Sequence, residues 1–144
     1  AAAAALWATL KCFPLTRDGL GRVLAKTRGA ARRWSETIKG TEELQLVVEP
    51  SLDIVAFYPR IKGMKASDIN RVVNRVFSRL MDDPVDPLYL AKLNLKRKLV
   101  PVAAGIEWDE ANLLAFRSVL MKPEHFDAVP AIHERLMKEL RSSI

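Results

Sequence analysis

An arginine stands alone inside an apolar run near the end of the chain: Leu113, Leu114, Ala115, Phe116, Arg117, Ser118, Val119, Leu120, Met121. The run has the length and composition of a strand, and Lys122-Pro123 closes it, because proline cannot donate to a sheet ladder. A guanidinium among such neighbours loses hydration and needs a compensating anion, either a carboxylate of the protein or one on a ligand. Arginine suits a planar carboxylate because its rigid fork donates two parallel hydrogen bonds. The plainer alternative is an edge or half-exposed arginine on an alternating strand, since most charged side chains stay solvated.

Other chemistry-bearing residues form weaker patterns. Ser118 has no His-Asp context and is assigned no nucleophilic role. Glu107, Asp109 and Glu110 cluster beside Trp108; carboxylate pairs can divide acid and base roles, but an acidic loop facing basic partners is favoured. His125 and His133 lie eight apart without convergent ligands, so both are expected at solvent, His133 on the polar side of a helix. Cys12, in an apolar helical stretch, is expected to be a buried small hydrophobe. As the single cysteine it excludes an internal disulfide and suits a reducing, cytoplasmic setting. Gly19 and Gly21 fit a helix start better than a phosphate-cradling glycine fingerprint.

The net charge of +6 raises a nucleic-acid reading. Arg17, Arg22, Lys26, Arg28, Arg32 and Arg33 gather on one predicted helix, and Lys96-Arg-Lys98 forms a second basic run. A solvated helix face is favoured over a phosphate stripe, because no Gly-aromatic strand accompanies the charges and aromatics make up only 7% of residues.

The elements that must position these groups follow from periodicity. The 144 residues suffice for one domain with a real core, and no stretch nears the roughly 18 apolar residues of a membrane span. A helix tail from Ala3 to Phe13 ends at Pro14. A second helix opens near Thr16 to Asp18 and carries Leu20, Val23 or Leu24, Thr27, Trp34 and Ile38 at helical spacing, with Gly40 at its end. Leu44 to Val48 and Leu52 to Tyr58 are β-prone runs split by Glu49-Pro-Ser51. The second run is apolar on both faces, which calls for cover on both sides. Ile69, Val72, Val73, Val76, Phe77 and Leu80 make the clearest amphipathic helix, Ser67 to about Met81. A proline loop, a strand over Leu88 to Leu95, an ambiguous stretch with a possible short strand at Leu99 to Ala103, the Arg117 strand and a helix from about Asp127 to Arg141 complete the chain. Pro130 is acceptable only in that helix's first turn. The order predicts an α+β fold, a mostly antiparallel sheet of 3-4 strands with helices packed on it.

Asn112-Leu-Leu-Ala-Phe-Arg-Ser-Val-Leu-Met-Lys-Pro123, followed by an acidic helix start, resembles the last strand of the pyridoxal-phosphate (PLP) dependent group II amino-acid decarboxylases. Ala5-Leu-Trp-Ala-Thr-Leu-Lys11 with Arg17-Asp-Gly-Leu-Gly21 is similar to that family's Leu-Trp helix and the turn after it. Leu46-Val-Val-Glu-Pro-Ser-Leu-Asp-Ile-Val-Ala-Phe57 is similar to its two short strands around Glu-Pro. The likeness spans nearly the whole chain but only the C-terminal third of such an enzyme. Lys122 stands where asparagine is usual, Phe13-Pro-Leu-Thr replaces Leu-Gly, and neither histidine precedes a lysine.

The resemblance implies the small domain of a fold-type I PLP enzyme. Residues 1–14 would be the tail of a helix linking to a large domain, and 15–144 the C-terminal small domain. The alanine-rich start, Ala1 to Ala5, without methionine, then reads as an internal position of a longer polypeptide. The resemblance further implies that Arg117 binds a substrate carboxylate, that PLP is held mainly by the large domain with its Schiff-base lysine, and that the whole enzyme is a homodimer. A stand-alone basic α+β module binding RNA or an acidic partner is the alternative.

Overall fold

Helical spacing of apolar residues and two-residue alternation produce the elements largely where expected. The computed structural model describes residues 2–61, 63, 65–100 and 104–144. In order they form α1 (Ala2–Cys12), α2 (Leu20–Lys39), β1 (Leu44–Leu46), β2 (Ile54–Pro59), α3 (Ala66–Met81), β3 (Ala91–Lys96), a 3-10 turn (Arg97–Leu99), β4 (Asn112–Val119) and α4 (His125–Arg141). The strands make one antiparallel sheet in the order β1-β2-β4-β3, so the Arg117 strand is central rather than at an edge. This is the expected α+β layer. No helix among the described residues is long and apolar enough to cross a membrane.

Directly opposed residues of antiparallel strands share a face. Phe57 opposes Phe116 and Val55 opposes Ser118, on the face that carries the helices. Trp34 of α2 packs on Phe57 with ring centroids 5.4 Å apart, and Phe57 lies 5.6 Å from Phe116. The α3 stripe of Ile69, Val72, Val73, Val76 and Leu80 is buried against this layer. The opposite face carries Ile54, Ala56 and Tyr58 of β2, Leu113, Ala115, Arg117 and Val119 of β4, and Ala91, Leu93 and Leu95 of β3. One half of it is covered: Tyr58, Leu113 and Ala115 are fully buried, while Ile61, Ala104, Ile106 and Trp108 of irregular segments pack on the core. The other half is open, with Ile54 45% exposed and Arg117 exposed. The expectation of apolar character on both faces holds, but this chain covers only part of the second.

Several boundaries and placements differ from expectation for identifiable reasons. β3 begins at Ala91 because the Leu88 N–H donates to the Leu80 carbonyl (2.8 Å), which folds the proline loop back on the end of α3. Leu99 lies in the 3-10 turn; the rest of the possible strand to Ala103 falls mainly outside the described residues. Cys12 is exposed, not buried, because no residue of α1 is buried against the rest of the chain. Pro130 is the sixth residue of α4, beyond the first turn. Its missing N–H leaves the Phe126 carbonyl without a helical donor, and Arg33 Nη1 of α2 donates to that oxygen instead, at 2.9 Å.

Candidate functional site

Arg117 occupies the middle of β4, with Ala56 of β2 opposite on one side and Ala91 of β3 on the other. Two methyl groups beside a long side chain leave its guanidinium without lateral competitors. Along the strand, Ala115 and Val119 flank it on the same face, so the charge rises from an apolar floor. Arg117 is exposed, and among the described residues it has no carboxylate within 4.0 Å and no hydrogen-bond partner. Arg135 and Arg141, by contrast, are spent on the protein itself: Arg135 pairs with Asp83 at 2.8 Å and with Asp86, and Arg141 pairs with Glu43 at 3.0 Å. Of the two anions that could meet Arg117, a carboxylate of the protein is not found beside it among the described residues.

The remaining sequence candidates have structural roles. Ser118 is buried on the helix face, across from Val55, and is not grouped with Arg117. The acidic trio fastens the start of α3. Asp109 accepts from the Ser67 N–H (3.0 Å) and the Ser67 hydroxyl (2.5 Å), capping the helix from 42 residues away. Glu107 pairs with Lys65 at 3.1 Å, and Glu110 accepts from Asn70 Nδ2 at 2.5 Å. The Ser67 hydroxyl and then its backbone N–H, with Lys65 nearby, hold the Asp109 carboxyl below its ordinary range. His125 Nδ1 accepts from the Lys122 N–H at 3.4 Å, a local bond at the start of α4. In the basic cluster, Arg22 donates to the Asp18 carbonyl, Lys26 pairs with Asp127, and Arg33 serves Phe126. Arg17, Arg28 and Arg32 of the same cluster are exposed and have no side-chain hydrogen bond or ion pair among the described residues, as on a solvated helix face.

His133 is not at solvent as expected. It is half-buried between α2 and α4, where it accepts from Trp34 Nε1 at Nδ1 (3.3 Å) and meets Thr41 Oγ1 at Nε2 (3.2 Å). Burial holds its imidazole below the usual range, Arg141 adds to that, and Glu43 opposes it.

Asn70 was not singled out by the sequence. Its buried amide donates to the Asn112 carbonyl (3.0 Å) and accepts from the Leu114 N–H (2.6 Å). These backbone groups lie on the side of β4 that faces β2, beyond Phe57–Phe116, the last pair of the β2–β4 ladder. The side chain thus continues the hydrogen bonding of β4, the strand that carries Arg117, where β2 departs. A signal existed: Asn70 is one position from Ile69 and three from Val73, on the edge of the apolar stripe.

Neither a protein-family model nor a curated protein sequence matches this chain. Among solved structures, the fold is similar to a glutamate decarboxylase domain of a diaminobutyrate-pyruvate transaminase and L-2,4-diaminobutyrate decarboxylase from Vibrio parahaemolyticus. There the TM-score is 0.58 at 13% identity, over 92% of this chain and 25% of that one. It is also similar to mouse CSAD in its apo form, with a TM-score of 0.60 at 20% identity, over 91% of this chain and 26% of that one. The chain therefore spans about a quarter of the length of these proteins. The likeness fits a small domain within a larger chain and bears out the expected α+β fold.

Proposed function

We propose that this chain is the small domain of a PLP-dependent amino-acid decarboxylase and that Arg117 binds a carboxylate of the substrate. The observation that carries the reading is an unpaired guanidinium on the central strand, set in the open half of an apolar sheet face. Such a group favours a planar carboxylate brought by a ligand, and the apolar surroundings strengthen the charge-assisted bonds it makes.

The residues present do not form a seat for PLP. His125 precedes Phe126 and His133 precedes Glu134, so no His-Lys pair is available for a Schiff base. A Cβ on Gly19 would lie 2.2 Å from the Pro14 carbonyl oxygen, and one on Gly21 would lie 2.9 Å from that of Thr16. The space these glycines leave is taken by the chain's own backbone, not kept for a phosphate. The cofactor therefore belongs to a large domain of the same polypeptide. That domain would rest on the open half of the sheet and on α1, whose Trp7 is 65% exposed, within a cytoplasmic homodimer.

What this chain's residues contribute is binding and orientation. Arg117 holds one carboxylate while the large domain presents the reacting centre. It raises kcat only if the grip is tighter in the transition state than in the ground state. The test is Arg117→Ala and Arg117→Lys in the enzyme that joins this chain to its large domain. Loss of a bidentate, charge-assisted pair should lower kcat/KM by about 100-fold, or about 3 kcal/mol, with PLP retained in the visible spectrum. Lysine should restore only part, because it cannot donate as a fork. Normal turnover by the alanine variant, or failure to hold PLP, would contradict the assignment.

A further inference from the structure

His133 joins two helices through a hydrogen-bond chain that admits one protonation state. The Trp34 indole N–H can only donate, so Nδ1 of His133 must accept and carry no proton. Thr41 donates its hydroxyl proton to the Thr37 carbonyl at 2.8 Å, so its oxygen is left to accept from Nε2–H. The network is complete only for the neutral Nε2–H tautomer. A proton added at Nδ1 would set N–H against N–H at the point where α2 meets α4.

We infer that His133 is a pH-sensitive clasp, closed when neutral, whose protonation loosens the seam between α2 and α4 around Trp34. Trp34 is fully buried and packs on Phe57, so it cannot swing away to spare the clash without disturbing the core. From the approach to β1, Glu43 favours the cation but is already paired with Arg141 of α4, which disfavours it. The surface cavity that His133 lines is also lined by the acidic Asp83, Glu134 and Glu139 and the basic Arg135 and Lys138. α2 presents the Trp34 indole at the contact, and the Thr37 carbonyl orients the Thr41 hydroxyl. Burial then decides the sign in favour of the neutral ring.

The folded state disfavours the proton, so unfolded chains bind more protons below the ordinary histidine value of 6.5, and stability falls as pH drops through that value. The test is the urea midpoint of the full chain at pH 7.5 and pH 5.0. Carboxylates with depressed values, such as Glu43 and Asp109, titrate below this window. The wild type should show a lower midpoint at pH 5.0. His133→Asn keeps an acceptor for Trp34 without titrating, and its midpoint should be the same at both pH values, whereas His125→Asn should behave as the wild type. An unchanged wild-type midpoint, or an equal drop in His133→Asn, would overturn the clasp. If His133→Asn does not fold, imidazole NMR of the wild type decides. An Nε2–H tautomer titrating below 6.5 supports the clasp, and an Nδ1–H tautomer or a titration at or above 6.5 refutes it.

Discussion

Arg33 Nη1 stands 2.9 Å from the Phe126 carbonyl oxygen, the acceptor that Pro130 cannot serve. The same guanidinium carbon lies 5.3 Å from the centroid of the Phe126 ring, so one side chain meets both the backbone and the ring of its partner. This relationship lets a proline sit in the second turn of α4 without an orphaned carbonyl, and it pins α2 to the start of α4.

Arg33→Met keeps the aliphatic stem and removes the donor. Leaving the carbonyl unmet should cost about 1 kcal/mol, or about 2–4 °C in Tm for a domain of this size. Adding Pro130→Ala should recover most of the loss, because the restored N–H serves the same oxygen. Calorimetry of the single and double variants checks it, and failure of Pro130→Ala to recover stability would refute the pairing.

Asn70→Ala removes both partners of the β4 backbone where β2 has departed. Two unmet backbone groups should cost about 2–4 kcal/mol. Amide exchange at Leu114 should accelerate more than at Phe116, whose register partner Phe57 remains. Equal protection at the two amides would refute this account.

Asp109 has a carboxyl held below its ordinary value of 3.8, so the stability it contributes is fully present above that pH and is lost as pH falls through the depressed value. Asp109→Asn should be less stable than the wild type at pH 6, and the difference should shrink below about pH 4. Urea midpoints at pH 6, 4 and 3 measure it. A difference that persists undiminished at pH 3 would mean that the charge is not what matters.

Ala91 opposes Arg117 across β3 and β4, which offers a test of the substrate-carboxylate proposal without touching the arginine. Ala91→Glu should supply an internal carboxylate on the same face, a pair that contributes about 0.2–1 kcal/mol to the sheet. Stability should hold or rise slightly while KM rises several-fold in the joined enzyme. An unchanged KM would show that substrate does not use this guanidinium.

The repeating patterns were legible in the sequence: the α3 stripe from Ile69 to Leu80, the β2 run and the Arg117 strand all lie where their periods put them, and together they specify the α+β layer. Periodicity is a local property, so a single sequence carries it. What each polar side chain meets is not local. Asp109 reaches Ser67 across 42 residues, and His133 reaches Trp34 across 99. Only the packed sheet and helices decide those pairings. Cys12 shows the same limit from the other side: its apolar surroundings suggested burial, but burial needs a surface to pack against, and α1 finds none within this chain. The sequence singled out Arg117 by its apolar neighbours. The tertiary structure decided that its strand is central, that alanines stand on both sides, and that no carboxylate among the described residues lies within 4.0 Å of it, because strand order and register are set by long-range packing.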